Sequence, residues 1–364
     1  MKNIKKYIII SILLCLMSIF ALNFNSKATV YAEDWEEYKG EVHHLFTHCL
    51  LAFPEIAFDE NNKMRKHFAN DCITKDEFVQ ILDALYENNY ALIDINKTFT
   101  LDKNGNAIKK SIWVPKGKKP LIFSFDDVVY DQKKMSLGMV DKIILDKNGN
   151  LATSTTIKGN ENISDSNEFI PILENFIKKH PDFSIAGAKG LICLTGYDGI
   201  LGYRTGEKNN TSRYSEIEKV KPIIKKLKQN GWSFACHSFG HYHMKKISDK
   251  AFSEELRQWN EQVVPLIGKT QIYVYPYGEW EIFNGNNLCN KHKMLKDNGF
   301  KLFCGVGMKQ FYSYLPYSAD AEEKVLFMDR TCVDGYTLTN QRNKLLPYFD
   351  SHKVADKKYR KIDV

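Results

Sequence analysis

From residue 43 onward, short apolar runs with strand character alternate with longer stretches of helical periodicity. This alternation restricts the fold more than any other feature. Neighbouring parallel strands need a crossover of a dozen or more residues, usually a helix, so the pattern describes a mostly parallel sheet with helices outside it. The strand runs are HHLFTHCLLAF (43–53), ALIDI, LIFSF (121–125), AKGLICLTG, WSFACHSFGH, QIYVYPYG and KLFCGVG. Between them, a helix is expected from Thr74, where Glu77 completes a capping box and Phe78, Ile81, Leu82 and Leu85 form one apolar face. Further helices are expected over 167–181, over 215–230 with Gly231 closing it, over about 251–264, at KMLKDNGF and near Asn340.

The hexapeptide LDKNGN occurs twice, at 101–106 and 145–150. A calcium loop fails on chemistry, because the glycine stands at loop position four rather than six and no glutamate stands at position twelve. Asn-Gly between extended segments predicts two hairpin turns instead. The stretches 131–165 and 197–214 are polar and read as surface excursions. No Pro/Ser-rich linker divides the chain, so residues 33–364 are expected to form a single domain.

The first 32 residues differ from the rest. MKNIKK carries three lysines and no acid, a run of about 16 apolar residues follows, and a polar stretch ends at Val30-Tyr31-Ala32. This is the layout of a secretory signal cleaved after Ala32. The apolar run falls short of the ~20 residues of a spanning helix, so no stable membrane span is expected after cleavage, although a retained anchor stays open. The four lysines in this segment account for much of the formal charge of +7. No Lys/Arg run long enough for a nucleic-acid tract appears. Seven cysteines follow Ala32, widely spaced and without CxxC, so neither a disulfide framework nor a thiolate zinc site is expected. Those in GLICL and FKLFCGV read as small buried apolar residues.

Three of the strand runs end in chemically capable groups. LIFSF leads into Asp126-Asp127, a second strand into His237-Ser238-Phe239-Gly240-His241, and a third into Tyr275-Pro276-Tyr277-Gly278. The carboxyl ends of parallel strands are where α/β folds build their sites. Two like charges side by side need a positive partner. One helical turn after the strand would put His237 and His241 on one side, and two imidazoles with one carboxylate make a three-ligand metal site with open positions. The other aspartate would be left to accept a proton.

FSFDD together with HSFGH resembles the polysaccharide deacetylase family, carbohydrate esterase family 4. HLFTHCLLAF is similar to the family's first strand, and the helix–strand stretch 73–95 to the helix before its FDD strand. The resemblance implies an irregular (β/α) barrel of about seven parallel strands. It implies Asp126 as catalytic base, Asp127 with His237 and His241 as ligands of a divalent metal, and the Tyr277 backbone N–H as an oxyanion donor. The reaction implied is hydrolysis of acetyl groups on a polysaccharide, with N-acetylglucosamine of a cell wall or extracellular glycan as the expected type. Zinc is the expected metal, and cobalt, nickel or manganese also suit the ligands.

Two departures stand out. Val274 occupies the position where the family turn often begins with an arginine. Arg330, with Asp334, in MDRTCVDGY is the candidate to supply that charge from the next strand. The family's histidine acid near the C-terminus is not evident, and His352 and His243 are the candidates. These gaps leave a second reading open: a glycan-binding or envelope-assembly protein on the same fold without turnover. A hydrolase of some other amide or ester is a third. Tyr203, Tyr242, Tyr275, Tyr277 and Trp280 are candidates for stacking on sugar rings.

Overall fold

The computed structural model describes residues 35–207, 211–285, 287–307, 312–316 and 324–360. The signal-like segment lies outside the described residues. Seven parallel strands follow one another around the main sheet, with Tyr90–Leu92 added in parallel sense at the start of the second: β1 (His43–Thr47), β2 (Lys119–Phe125), β3 (Leu191–Leu194), β4 (Ser233–Cys236), β5 (Ile272–Val274), β6 (Leu302–Cys304) and β7 (Lys324–Met328). Each pairs with the next in chain order. Beyond β7, Thr331–Cys332 pairs with Leu45 and Phe46 of β1. The last strand therefore bridges the two edges of the curled sheet at its carboxyl end. Lower on the same edge, Tyr312–Pro316 adds to β7 in antiparallel sense. The hairpin of Phe99–Leu101 and Ala107–Lys109 packs there, with the Lys109 N–H donating to the Tyr314 hydroxyl. The fold is thus α/β, an irregular half-barrel of the expected strand number.

Alternation along the strands separates two cores. Outward-facing Phe123 and Phe125 stack on each other, and Phe169 of the helix Phe169–Lys179 stacks on Phe125 at 3.8 Å. The helix Lys75–Glu87 adds the expected face and the expected capping box: Thr74 accepts from the Glu77 N–H, and Glu77 accepts from the Thr74 N–H. A buried ion pair from Arg360 to both Glu77 oxygens ties the C-terminal segment to this helix start. Inward-facing Ile122, Cys193, Ala235, Val274, Cys304 and Met328 belong to a second cluster that fills the barrel. Cys193 and Cys304 are fully buried there, and the seven cysteines among the described residues are free thiols.

Both LDKNGN stretches are hairpin turns of the same construction. The Asp102 carboxylate accepts from the N–H groups of Asn104 and Asn106, and Asp146 does the same for Asn148 and Asn150. The second turn belongs to a three-stranded antiparallel sheet (Lys142–Leu145, Leu151–Ile157, Asn160–Ser164) within what the sequence presents as a polar excursion. Its buried Ile143, Leu151 and Thr153 give it an inner face that composition concealed.

Candidate active site

The backbone ladder continues one residue past several strands. The Asp126 N–H donates to Thr47 O, His237 to Leu194 O, and Tyr275 to Cys304 O. This brings the three polar strand ends to one rim. On a regular strand Asp126 and Asp127 would face opposite ways. The strand stops at Phe125, and Asp127 takes a left-handed conformation with φ 57°, which turns its side chain back to the same cavity. Ser238 (φ 61°), His241 (φ 55°) and Tyr277 (φ 58°) are left-handed as well. Strain of this kind, about 1 kcal/mol or more per residue, persists where surrounding structure fixes it and gathers at functional sites.

No helical turn carries the histidine pair. An irregular loop after β4 does, because Glu255 from the helix Asp249–Gln258 accepts from both the Ser238 hydroxyl and the Gly240 N–H and pins the loop. The His237 Nδ1–H donates to Val274 O at 2.9 Å, which leaves Nε2 facing the cavity. Asp127 Oδ1 lies 3.5 Å from His241 Nε2 and 4.0 Å from His237 Nε2. One ligand atom from each of the three residues lies within 4.8 Å of the others. Two atoms each ~2.1 Å from one ion can be at most ~4.2 Å apart, so both carboxylate–imidazole separations fit a shared cation. A second observation agrees: Asp127 Oδ1 is buried and has no hydrogen-bond partner, a cost that a bound cation would remove. Burial, outweighing the attraction of Asp127, lowers the His241 pKa to about 4, so the ring is a neutral donor at physiological pH.

Asp126 is held differently. Arg330 reaches it with both terminal nitrogens, at 2.8 and 2.9 Å, and both residues are buried. Burial works to raise the Asp126 pKa, but the Arg330 charge and then His237 outweigh it and hold the carboxyl well below its usual range. The adjacent acids are thus held differently: a guanidinium grips Asp126, while Asp127 faces the two imidazole nitrogens with no fixed positive charge against it. Val274 and Arg330 both face the barrel interior, so the charge absent at Val274 enters from another strand. Asp334 lines the same cavity, with its carboxylate engaged elsewhere. The carboxylate of Asp334 accepts from the Thr337 N–H as the cap of the helix Gly335–Asn340, and the Cys332 thiol donates to its other oxygen.

Asp126, Asp127, His237, His241 and Arg330 line a cavity of about 460 Å³, with Tyr277 at its wall. Pro276–Gly278 forms a tight turn in which the N–H groups of Gly278 and Glu279 bond back to Tyr275 and Pro276. Tyr277 precedes them, at a position where a turn leaves its N–H without an internal acceptor. Its half-exposed ring stacks on His243 at 3.8 Å and lies 4.6 Å from His241. His243 also approaches Glu279, at 3.0 Å. His352 sits on the short helix Ser351–Val354 and does not line the cavity. Of the stacking candidates, Tyr275 and Tyr203 are buried, whereas Tyr242, Tyr277 and Trp280 are exposed.

Several cavity residues escape the sequence reading, His48, His67, Asp71 and Lys134 among them. His48 lines the same cavity, and its Nδ1–H donates to Asp71 O at 2.8 Å. The available signal was its place in HHLFTHCLLAF. The strand ends at Thr47 rather than running to residue 53, so His48 is a strand-end residue like Asp126 and His237.

Fold and site together define an α/β half-barrel with a prospective Asp/His/His metal centre beside an arginine-held aspartate. Residues 203–294 match the family model for polysaccharide deacetylase, and the resemblance read from FSFDD and HSFGH stands. The matched segment holds His237, His241 and Tyr277 but neither aspartate. Among solved structures the chain is similar to Streptococcus pyogenes deacetylase PplD in complex with acetate, at 15% identity and TM-score 0.46, over 85% of this chain and 98% of that one. It is similar to the putative polysaccharide deacetylase BA0330 from Bacillus anthracis, at 13% identity and TM-score 0.44, over 81% and 65%. IcaB from Ammonifex degensii gives 13% and 0.40, over 83% and 96%. No curated protein matches the chain. Among the described residues no helix is long and apolar enough to cross a membrane.

Proposed function

We propose that the chain is an exported, metal-dependent deacetylase that hydrolyses acetyl groups on a cell-wall or extracellular glycan, N-acetylglucosamine being the favoured unit. The single observation that carries this reading is the meeting of Asp127, His237 and His241 beside an Asp126 kept ionised by Arg330. Asp127, His237 and His241 would hold a divalent cation, zinc by ligand type, which when bound would supply Lewis acidity toward the acetyl carbonyl and a water. Asp126 takes the proton of the attacking water. The Tyr277 N–H receives the developing oxyanion. His48, held by Asp71 O with Nε2 directed away from that contact, gives a proton to the departing amine.

The non-catalytic alternative drew on a missing arginine and a missing acid. Arg330 and His48 supply candidates for both, which favours turnover over binding alone. The amino-terminal layout supports export from the cytoplasm, and the exposed Tyr242, Tyr277 and Trp280 support a sugar ligand. The deciding experiment is acetate release from N-acetylglucosamine oligomers with zinc and with a chelator. Oligomer binding without acetate under saturating metal would leave the binding protein; release that persists after chelation would end the metal-dependent reading.

A further inference from the structure

Behind Arg330 lies a buried polar chain that the proposed chemistry does not use. Ser124 stands two residues before Asp126 on β2, so both side chains face the barrel interior. The Ser124 hydroxyl oxygen accepts from Arg330 Nη1 at 3.2 Å, the same nitrogen that donates to Asp126 Oδ1. The same hydroxyl lies 2.8 Å from Nε2 of His44, on β1. His44 and Ser124 have no solvent exposure, and the rest of this barrel interior is apolar. Buried polar groups in such surroundings stabilise only when their hydrogen-bonding capacity is met in full.

The proton inventory fixes the direction of this chain. A hydroxyl has one hydrogen. The Met328 thioether, 3.2 Å from His44 Nδ1, can only accept, so Nδ1 carries the hydrogen of the neutral ring; Nε2 is left as an acceptor, and Ser124 gives its proton there. Burial first, and then the charge of Arg330, keep the imidazole neutral. The order is Arg330 N–H to Ser124 O–H to His44 Nε2, running from the segment just past β7 through β2 to β1. Arg330 Nε donates to Gly305 O at 3.2 Å, so the guanidinium plane is held from two sides besides Asp126.

We infer that His44 and Ser124 are positioning residues: they set the plane of the Arg330 guanidinium, and through it the orientation of the Asp126 carboxylate toward the attacking water. The inference rests on the proposed deacetylase reading for its kinetic consequence and on geometry alone for the network.

The test uses the full metal-loaded protein. Ser124→Ala should lower kcat about tenfold, the size of one hydrogen bond to a charged group, with KM and zinc content unchanged. His44→Leu should do the same. His44→Gln, whose amide oxygen can still accept from Ser124, should keep most of the activity. Ser124→Ala combined with His44→Leu should be no slower than either alone. Additive losses, unaltered kcat in Ser124→Ala, or a His44→Gln as slow as His44→Leu would each overturn the inference. A wild type that releases no acetate would sink the deacetylase reading and not this one, because NMR reads the network without turnover. The Arg330 Nε–H should be protected from solvent exchange in the wild type and exchange faster in Ser124→Ala. Equal exchange in the two proteins would refute it.

Discussion

Replacing Arg330 by methionine tests how the site is held. The guanidinium has Asp126 at 2.8 and 2.9 Å, Ser124 and Gly305 O at 3.2 Å, and the Phe46 ring at 4.0 Å. Asp126 is only 2% exposed, so the dominant loss is an uncompensated buried carboxylate, about 3–5 kcal/mol. The unpaired Gly305 carbonyl adds about 1 kcal/mol. The total is a large share of the ~5–15 kcal/mol typical of a folded domain. Arg330→Met should therefore unfold at much lower urea than the wild type. Asp126→Asn added to it removes the orphaned charge and should recover most of that loss. Activity should behave otherwise. Arg330→Met should lose on the order of 10²-fold in kcat, and the double variant should gain none of it back, because the amide is no base. Urea denaturation and acetate release on the same preparations give both readings. A double variant as unstable as the single one, or an Arg330→Met with kcat within about threefold of wild type, would refute the assignment of Arg330 as the partner of the base.

Three further outcomes are expected. Alanine at Asp127, His237 or His241 should abolish stoichiometric zinc binding measured by atomic absorption, and chelation should silence the wild type until zinc is returned; undiminished zinc in all three variants would remove the proposed centre. His48→Gln should lower kcat about 10²-fold on an N-acetyl substrate with zinc content intact, yet lose little on an aryl acetate whose leaving group needs no proton, while His352→Ala should change neither; equal losses on both substrates would argue against His48 as the proton donor. Glu168 is fully buried, and burial raises its carboxyl to about 8, so the folded chain retains a proton that the unfolded chain releases. Its contribution is full below the unfolded value near 4.5 and is lost as pH rises through about 8, at about 1.4 kcal/mol per pH unit. Glu168→Gln should flatten that decline in urea titrations between pH 5 and 8, and parallel curves for the two proteins would refute it.

The legible parts of this molecule are those written in contiguous residues. Thr74 and Glu77 lie three apart, so their capping box shows in the sequence; the Arg360 that neutralises Glu77 is 283 residues away and does not. Asp126-Asp127 and His237/His241 announce chemistry because like charges and paired imidazoles are costly without a partner. The spacing of the histidines suggests a helical turn, but the fold presents them on an irregular loop. What shapes it is Glu255, a residue that in sequence is one more acid on a charged helix face. His48 was concealed by an apolar run that continues past the end of its strand. Asp334 looked like a companion for Arg330 only because the two are four apart; in the fold its carboxylate is spent on a helix cap.

The resemblance expects an arginine where this chain has Val274, and the barrel geometry gives Arg330 an equivalent reach to Asp126. In a barrel every second residue of every strand faces one shared interior. Along β2 and just past its end the inward column runs Ile122, Ser124, Asp126, and along β7 and just past its end Met328, Arg330, with apolar groups below and polar groups at the carboxyl end. A charge needed beside Asp126 can enter from any strand whose inward column reaches that level. Asp126 responds to where the guanidinium is and not to which segment carries it, and a fork geometry meets a carboxylate equally well from either side. The proposed metal ligands have less freedom, because three donor atoms must converge within a few ångströms of one point. On this geometry the guanidinium that faces the proposed base could be supplied from another strand, whereas Asp127, His237 and His241 could not be moved without losing that convergence. Transplantation tests this. Val274→Arg combined with Arg330→Val should retain measurable acetate release with a stability loss smaller than that of Arg330→Met, since the interior again holds one guanidinium per buried aspartate. A transplant as unstable as Arg330→Met and equally inactive would show that the position of the strand, and not only the interior level, is required.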